Sequence, residues 1–257
     1  MNNEKDKFDI SVVITAHREG RLAHHTMRSV SRSRQYAQER ELLTEVIIVL
    51  DRPNQATTNY FSAYAGSDML KLKADFGDPG LSRNYGIAHS SGRYIAILDA
   101  DNLIAGNWLH DTFRFLDDKE KEVVAHPEYQ MLFENENLVF RQISSTDPEF
   151  SISNTIEYNY WDTVCVARKD IFLRHPYEET TGGPGFGFED WHWNCQTLAD
   201  GIEHHVVPNT VHFMRMKKNG SNFRYHVGTS RIVRPSRLFD PAIFSRVLGA
   251  EQLRNKK

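Results

Sequence analysis

The chain has 257 residues, 40% hydrophobic and 25% charged, with a net charge of -3. That length supports one large α/β domain or at most two small ones, and the charge gives no reason to expect nucleic acid as a partner, although a local basic patch for phosphates stays open. The apolar runs are strand-sized, short of the roughly 20 residues of a membrane helix, and the polar start MNNEKDKFD lacks a secretory pattern.

The first element is Ile10 to Thr15 (ISVVIT), a β-branched run that reads as a strand buried on both faces of a parallel sheet. It ends in Ala16-His17-Arg18-Glu19-Gly20. Helical spacing follows over 21–41, then a second buried strand, EVIIVL, stopped by Asp51-Arg52-Pro53-Asn54. Strand, helix, strand is a βαβ unit with a right-handed crossover. A helix over 55–64 and a third strand from Met69 to Leu72 are expected next. Asp78-Pro79-Gly80 is turn chemistry. Leu81 to His89 reads as a helix, and YIAIL over 94–98 as a fourth strand running into Asp99-Ala100-Asp101-Asn102. Trp108 to Leu116 is helical.

From Val123 the pattern shifts to shorter strands (VVAH, MLFEN, LVFRQI), as in a mixed sheet. Glycines cluster over 180–187, Glu189 to Leu198 is a helix, and His205 to Val211 is a last short strand. Past Met216 the chain turns basic and ends in a helix over 241–253. The organisation predicted is one α/β domain over 8–225 with a mainly parallel sheet, followed by a C-terminal extension over 226–257. The two cysteines, Cys165 and Cys195, sit among apolar or aromatic residues, which predicts buried free thiols and fits a reducing cytoplasm.

In an open parallel sheet, ligands bind beyond the carboxyl ends of the strands. Polar clusters lie at those ends here: Ala16 to Glu19, Asp51, and Asp99 to Asp101. Acids at adjacent strand ends are costly unless they meet a cation or donors, and a hard divalent ion completed by substrate phosphate is the simplest answer. Asp-x-Asp alone is often only a turn. Position and company set this one apart.

The segment GLSRNYGIAHSSGRYIAILDADN, 80–102, closely resembles the donor-site signature of family 2 glycosyltransferases, in which a helix ending in glycine leads to a strand and Asp-x-Asp. SVVITAHREG resembles that family's first strand and nucleotide-facing loop, EDWHWNCQTLADGIEHHVVPNTV its acceptor-side motif, and VHFMRMKKNGSNF its closing segment over the donor phosphates. The resemblance implies the GT-A fold, a nucleoside-diphosphate sugar donor, Mn2+ or Mg2+, and inversion at the anomeric carbon. Residue by residue it implies Asp99 at the ribose or sugar with Ala100 beside it, Asp101 at the metal, Asp51 at the nucleobase, Arg83 near donor sugar or phosphate, and Asp190 as general base with Glu189 beside it. Two departures stand out. Asp51-Arg52-Pro53-Asn54 replaces the usual acidic pair with Gly-Ser, and Asn102 stands where many relatives have another acid.

The chemistry asks for the same parts. A departing diphosphate needs its growing charge neutralised, which a metal does as a Lewis acid. An acceptor hydroxyl needs a carboxylate on the opposite sugar face to take its proton. One carboxylate opposite the leaving group gives a single in-line displacement, hence inversion. Asp190 is the expected base, after a flexible Gly182-Gly183-Pro184-Gly185 loop that could close on the acceptor. His212 is either a third metal or phosphate ligand or a packed histidine. Lys217, Lys218 and Ser221 either contact diphosphate or form a solvated basic turn. One of Trp191 and Trp193 is expected to stack on an acceptor sugar, since both cannot share one helix face. His24-His25 and His204-His205 are not expected to bind metal, because adjacent side chains point apart.

The acceptor expected is a glycan or lipid-linked glycan. The basic stretch Arg231 to Arg237 raises a peripheral contact at the inner membrane face, with a solvated tail as the alternative. Two rival functions remain: a sugar-phosphate nucleotidyltransferase, weakened by the single glycine in 16–20, and an inactive nucleotide-sugar-binding relative. The retained acid pairs argue against the second, since unused buried acids only destabilise.

Overall fold

The structure, a computed structural model, describes residues 7–64, 69–180, 185–218 and 222–254. Its strands are β1 (Phe8–Ala16), β2 (Thr44–Asp51), β3 (Met69–Ala74), β4 (Gly92–Asp99), β5 (Leu103–Ile104), β6 (Val123–Glu134), β7 (Leu138–Arg141), β8 (Val166–Arg168), β9 (Phe186–Gly187), β10 (Glu203–Met216) and β11 (Ile232–Val233). Its helices are α1 (Ala23–Gln38), α2 (Gln55–Ala63), α3 (Pro79–Ala88), α4 (Trp108–Asp117), α5 (Lys169–Arg174), α6 (Glu189–Ala199), α7 (Asn222–Gly228) and α8 (Pro241–Arg254).

Nine strands make one sheet in the order β3-β2-β1-β4-β8-β6-β10-β5, with β7 paired to β6. The block β3-β2-β1-β4 is parallel throughout. Beyond it β8 runs antiparallel to β4 and β6, and β10 returns parallel to β6. Alternate residues of the parallel strands feed opposite cores, as a period of two requires. Val12, Ile14, Val46, Ile48 and Leu98 pack with Met27 and Val30 of α1 and Trp108 of α4. Val13, Ile47, Val49, Ile95 and Ile97 pack with Ile87 of α3, Phe172 of α5 and Trp193 of α6. A Cβ on Gly86 would lie 2.5 Å from Val13 Cγ1 and 3.0 Å from Val49 Cγ2, so glycine lets α3 lie directly on the sheet.

The sequence patterning fails mainly in the second half. VVAH and MLFEN are one twelve-residue strand, β6, that runs through Pro127. Pro127, which has no N–H to give the ladder, faces Val207 where β10 shifts register before Val211. Beyond that bulge β10 continues to Met216, so the expected short strand is fourteen residues long.

The residues after 225 are built onto the domain's own core. Leu238, Ile243, Phe244, Val247 and Leu248 pack with Cys195, Leu198 and Ala199 of α6 and with Phe150, Ile152 and Trp161. β11 pairs with β9 just before α6. Both cysteines are buried and free, as their neighbours implied. Among the described residues no helix is long and apolar enough to cross a membrane.

Candidate active site

Because β2, β1 and β4 are neighbours, their carboxyl ends bring His17–Glu19, Asp51 and Asp99–Asp101 to one edge. Thr15 Oγ1 donates to Asp99 Oδ1 at 3.0 Å, tying two of those ends together. The Asp51 carboxylate is buried and accepts from the backbone N–H groups of Phe76 (2.8 Å), Gly77 (3.0 Å) and Asp78 (3.2 Å) and from Ser82 Oγ (2.9 Å). It is thus engaged in shaping the 76–78 loop, on which Phe76 is exposed. His17 Nδ1 lies 2.6 Å from the Asp51 carbonyl, which can only accept, so that nitrogen carries the proton. Glu19 accepts from the His17 N–H at 2.6 Å, and Arg18 is exposed.

Asp101 is buried, and Lys217 Nζ lies 2.6 Å from its Oδ2. Burial pushes Lys217 down, but Asp101, with Glu19 and Asp99 behind it, holds it above its ordinary value. Glu19 is pushed up, by burial first and by Asp101 second. These groups therefore share one electrostatic cluster. His212 of β10 pairs in register with Ile104 of β5, just beyond the Asp101 turn, and its buried Nε2 meets no hydrogen-bond partner among the described residues. An acid and an orphaned imidazole nitrogen are suitable donors for a divalent ion, although among the described residues no three acids, histidines or cysteines cluster to hold one.

Arg83 joins this edge to the start of α6. It is buried in α3, with Nη2 3.0 Å from Asp99 Oδ1 and Nη1 2.8 Å from Glu189 Oε1. Glu189 opens α6, and Asp190 follows. The preceding Phe188 sits in left-handed backbone (φ 56°), costly for a bulky residue, and its N–H donates to His226 Nδ1 at 3.1 Å. A strained turn locked from α7 thus sets the direction of the acid pair.

Asp190 differs from the other acids. Its contacts are neutral: its own helix's Trp191 N–H at 2.8 Å, Asn159 Nδ2 at 3.4 Å and Thr163 Oγ1 at 3.5 Å. Burial, then the charge of Glu189, raise its pKa to about 7. Asn194, one turn along α6, donates to Asn159 Oδ1 at 2.9 Å and so fixes that neighbour. Sequence reading missed Asn159, Asp162 and Thr163, because polar residues in NYWDTVCV follow no helical or strand period.

Several expected roles change. Ala100 is buried, its N–H donating to the Thr15 carbonyl and its carbonyl accepting from Thr26, so its backbone is used up in the core. Ala16 is likewise buried. Lys217 rather than the exposed Lys218 reaches the acids, as consecutive side chains at a strand end diverge. Neither α6 tryptophan is an open platform. Trp193 stacks on Phe172 and Tyr177 at 4.9 and 5.4 Å, while Trp191 donates its indole N–H to the Thr155 carbonyl at 2.8 Å and packs on the C-terminal core.

Gly185 is exposed in left-handed backbone (φ 93°); Gly182, Gly183, Pro184 and Ser221 lie outside the described residues. The tail arginines pair with the chain's own groups. Arg231 donates to the Thr180 and Phe186 carbonyls and Arg234 to that of Glu179, and Arg237 pairs with Asp200. His204 is part of a buried stack, with Nδ1 2.9 Å from His126 Nε2, while His24 and His25 are both exposed.

A doubly covered sheet with a parallel block, acids at adjacent strand ends and a second acid pair opening a later helix defines the GT-A class of sugar-transferring folds. The chain belongs to glycosyltransferase family 2: the pattern described as "Glycosyl transferase family 2" matches residues 11–174. Among solved structures it is similar to S. aureus TarS 1-349 in complex with UDP, at TM-score 0.66 and 14% identity over 96% of this chain and 71% of that one. The complex of the same protein with UDP-GlcNAc gives 0.67 and 12% over 96% and 72%. Longer TarS gives 0.61 and 14% over 93% of this chain and 43% of that one. No curated protein matches the chain.

Proposed function

We propose that this chain is an inverting glycosyltransferase that moves a sugar from a nucleoside-diphosphate donor to a hydroxyl of a glycan or lipid-linked glycan. The observation that carries the reading is Arg83, whose guanidinium binds Asp99 on the donor edge and Glu189 on the acceptor helix. One side chain bonds both, which supports the reading that the strand-end acids and the acids opening α6 serve one cleft. The TarS complexes hold UDP and UDP-GlcNAc, which supports a uridine-diphosphate sugar as the first donor to try, its base beside Phe76 and the loop that Asp51 shapes.

In this reading Asp190 takes the acceptor proton, and burial together with the charge of Glu189 raises its pKa to about 7, where a base works best. Asp99 and Arg83 orient ribose, sugar or phosphate. Lys217 meets the diphosphate charge that grows as the bond to the sugar breaks. Asp101 and His212 are the residues that would hold Mn2+ or Mg2+, which supplies Lewis-acid stabilisation of the leaving diphosphate when bound. The free thiols fit a cytoplasmic protein. A lipid-linked acceptor would bring it to the membrane's inner face.

The test is a panel of UDP-, GDP-, dTDP- and CMP-sugars with and without Mn2+. Release of nucleoside diphosphate, together with thermal stabilisation by diphosphate nucleotides alone, is expected. Pyrophosphate release instead would establish nucleotidyl transfer, and absence of any binding would establish an inactive relative.

A further inference from the structure

Buried histidines normally satisfy both ring nitrogens. His204 does so, with Nδ1 against His126 and Nε2 2.8 Å from Thr197 Oγ1. His212 does not. Its side chain is 1% exposed, yet Nε2 has no partner among the described residues. On the other side of the ring, Nδ1 lies 2.6 Å from Asp162 Oδ2, close but off the line of a good hydrogen bond.

Asp162 is itself held before it meets the ring. Its Oδ2 accepts from Gln130 Nε2 at 2.8 Å and its Oδ1 from the Val164 N–H at 3.0 Å. A carboxylate pinned by two other donors is a fixed reference for the imidazole. The stretch of β10 that carries His212 is also stitched to the Asp101 turn. Arg215 N–H donates to Asn102 Oδ1 at 3.0 Å, and Arg215 Nε donates to the Asp101 carbonyl at 3.2 Å. The loop bearing Asp162 holds the other catalytic side too, through Asn159 and Thr163 on Asp190.

We propose that Asp162 is a positioning residue: it takes the Nδ1–H of His212 and so leaves the Nε2 lone pair bare and aimed at the divalent ion. The ring proton on one nitrogen decides what the other can do, and a carboxylate behind a histidine both selects the tautomer and raises its basicity as a ligand. This rests on the reading of His212 as a metal ligand, and it assigns one loop, 159–163, to both the metal side and the base side of the cleft.

The experiment is long-range 1H–15N spectroscopy of histidine-labelled, metal-free protein near neutral pH, with His212 identified by its absence in His212→Gln. Wild type is expected to show an unprotonated Nε2 and a protonated Nδ1, and Asp162→Asn a mixed or reversed tautomer. In parallel, Mn2+ affinity in the presence of UDP, read by electron paramagnetic resonance, should fall about 10- to 100-fold in Asp162→Asn, with UDP affinity in metal-free buffer unchanged. Should Asp162→Asn fail to fold, Gln130→Leu, which frees one side of Asp162, should move the ring signals the same way by less.

A wild-type Nε2 that carries the proton, or a tautomer indifferent to Asp162→Asn, or to Gln130→Leu where that variant stands in, overturns the proposal even if Mn2+ binds. A bare Nε2 in a protein that binds no Mn2+ overturns the metal reading and the proposal with it. The donor panel then still decides the transferase by itself.

Discussion

The two acid pairs, Asp99 with Asp101 and Glu189 with Asp190, are treated in opposite ways. Asp99 meets Arg83 and Asp101 meets Lys217, at 3.0 and 2.6 Å. In the second pair Glu189 shares Arg83 at 2.8 Å, while Asp190 has only neutral donors, the two side-chain ones at 3.4 Å or more. Three carboxylates therefore each face a cation. The fourth, Asp190, contacts none among the described residues, and burial first and the charge of Glu189 second lift its pKa to about 7. Acids that organise a donor must stay ionised, whereas an acid that takes a proton and gives it up must sit near the working pH.

That contrast breaks first at Asp190. Asp190→Asn should cost about 10²- to 10⁴-fold in kcat with the fold intact, the usual worth of general-base assistance. In wild type, kcat/KM should fall about tenfold per unit as pH drops below 7, where the base becomes protonated. The stability effect has the opposite sign. A carboxyl whose folded pKa is raised favours the folded state while protonated, and that advantage is lost as pH rises through 7. Asp190→Asn should therefore melt higher than wild type above pH 7 and lose that margin toward pH 4; a margin that grows on acidification would contradict the assignment.

Arg83→Met removes the cation that both pairs share. Leaving Asp99 and Glu189 without it should cost on the order of 3–5 kcal/mol in denaturant unfolding. Arg83 also lowers the Asp190 pKa, so the acid limb of the pH–rate profile should shift upward in this variant. An unmoved limb would separate the two pairs electrostatically.

Asp101→Ala acts on the donor pair alone. A loss of about 10²- to 10³-fold is expected, comparable to deleting one preorganised electrostatic contact, together with loss of stimulation by Mn2+ and no shift of the acid limb. The smallest effect is Gly86→Ala, which touches neither pair. Its Cβ would overlap Val13, at a cost of roughly 1–3 kcal/mol, and a calorimetric scan should show a lower Tm with the pH profile kept.

The donor edge was legible because it is local. ISVVIT, EVIIVL and YIAIL are runs suited to doubly covered strands, and the acids follow them directly in the chain, so marking the strand ends marks the edge where those acids gather. The start of α6 was half legible. Glu189-Asp190 stood out at a helix start, but what surrounds Asp190 comes from Asn159 and Thr163, about thirty residues away on a loop without periodic pattern.

Lys217 over Lys218, and two tryptophans packed away from solvent, were fixed by which way each side chain turned once β10 and α6 were seated. Sequence by itself determined the parallel block of the sheet and the family, because burial and turn chemistry are written into short windows. Only the tertiary structure decided which acids receive a cation and which does not, because charge pairing depends on distances between segments that the chain order leaves free.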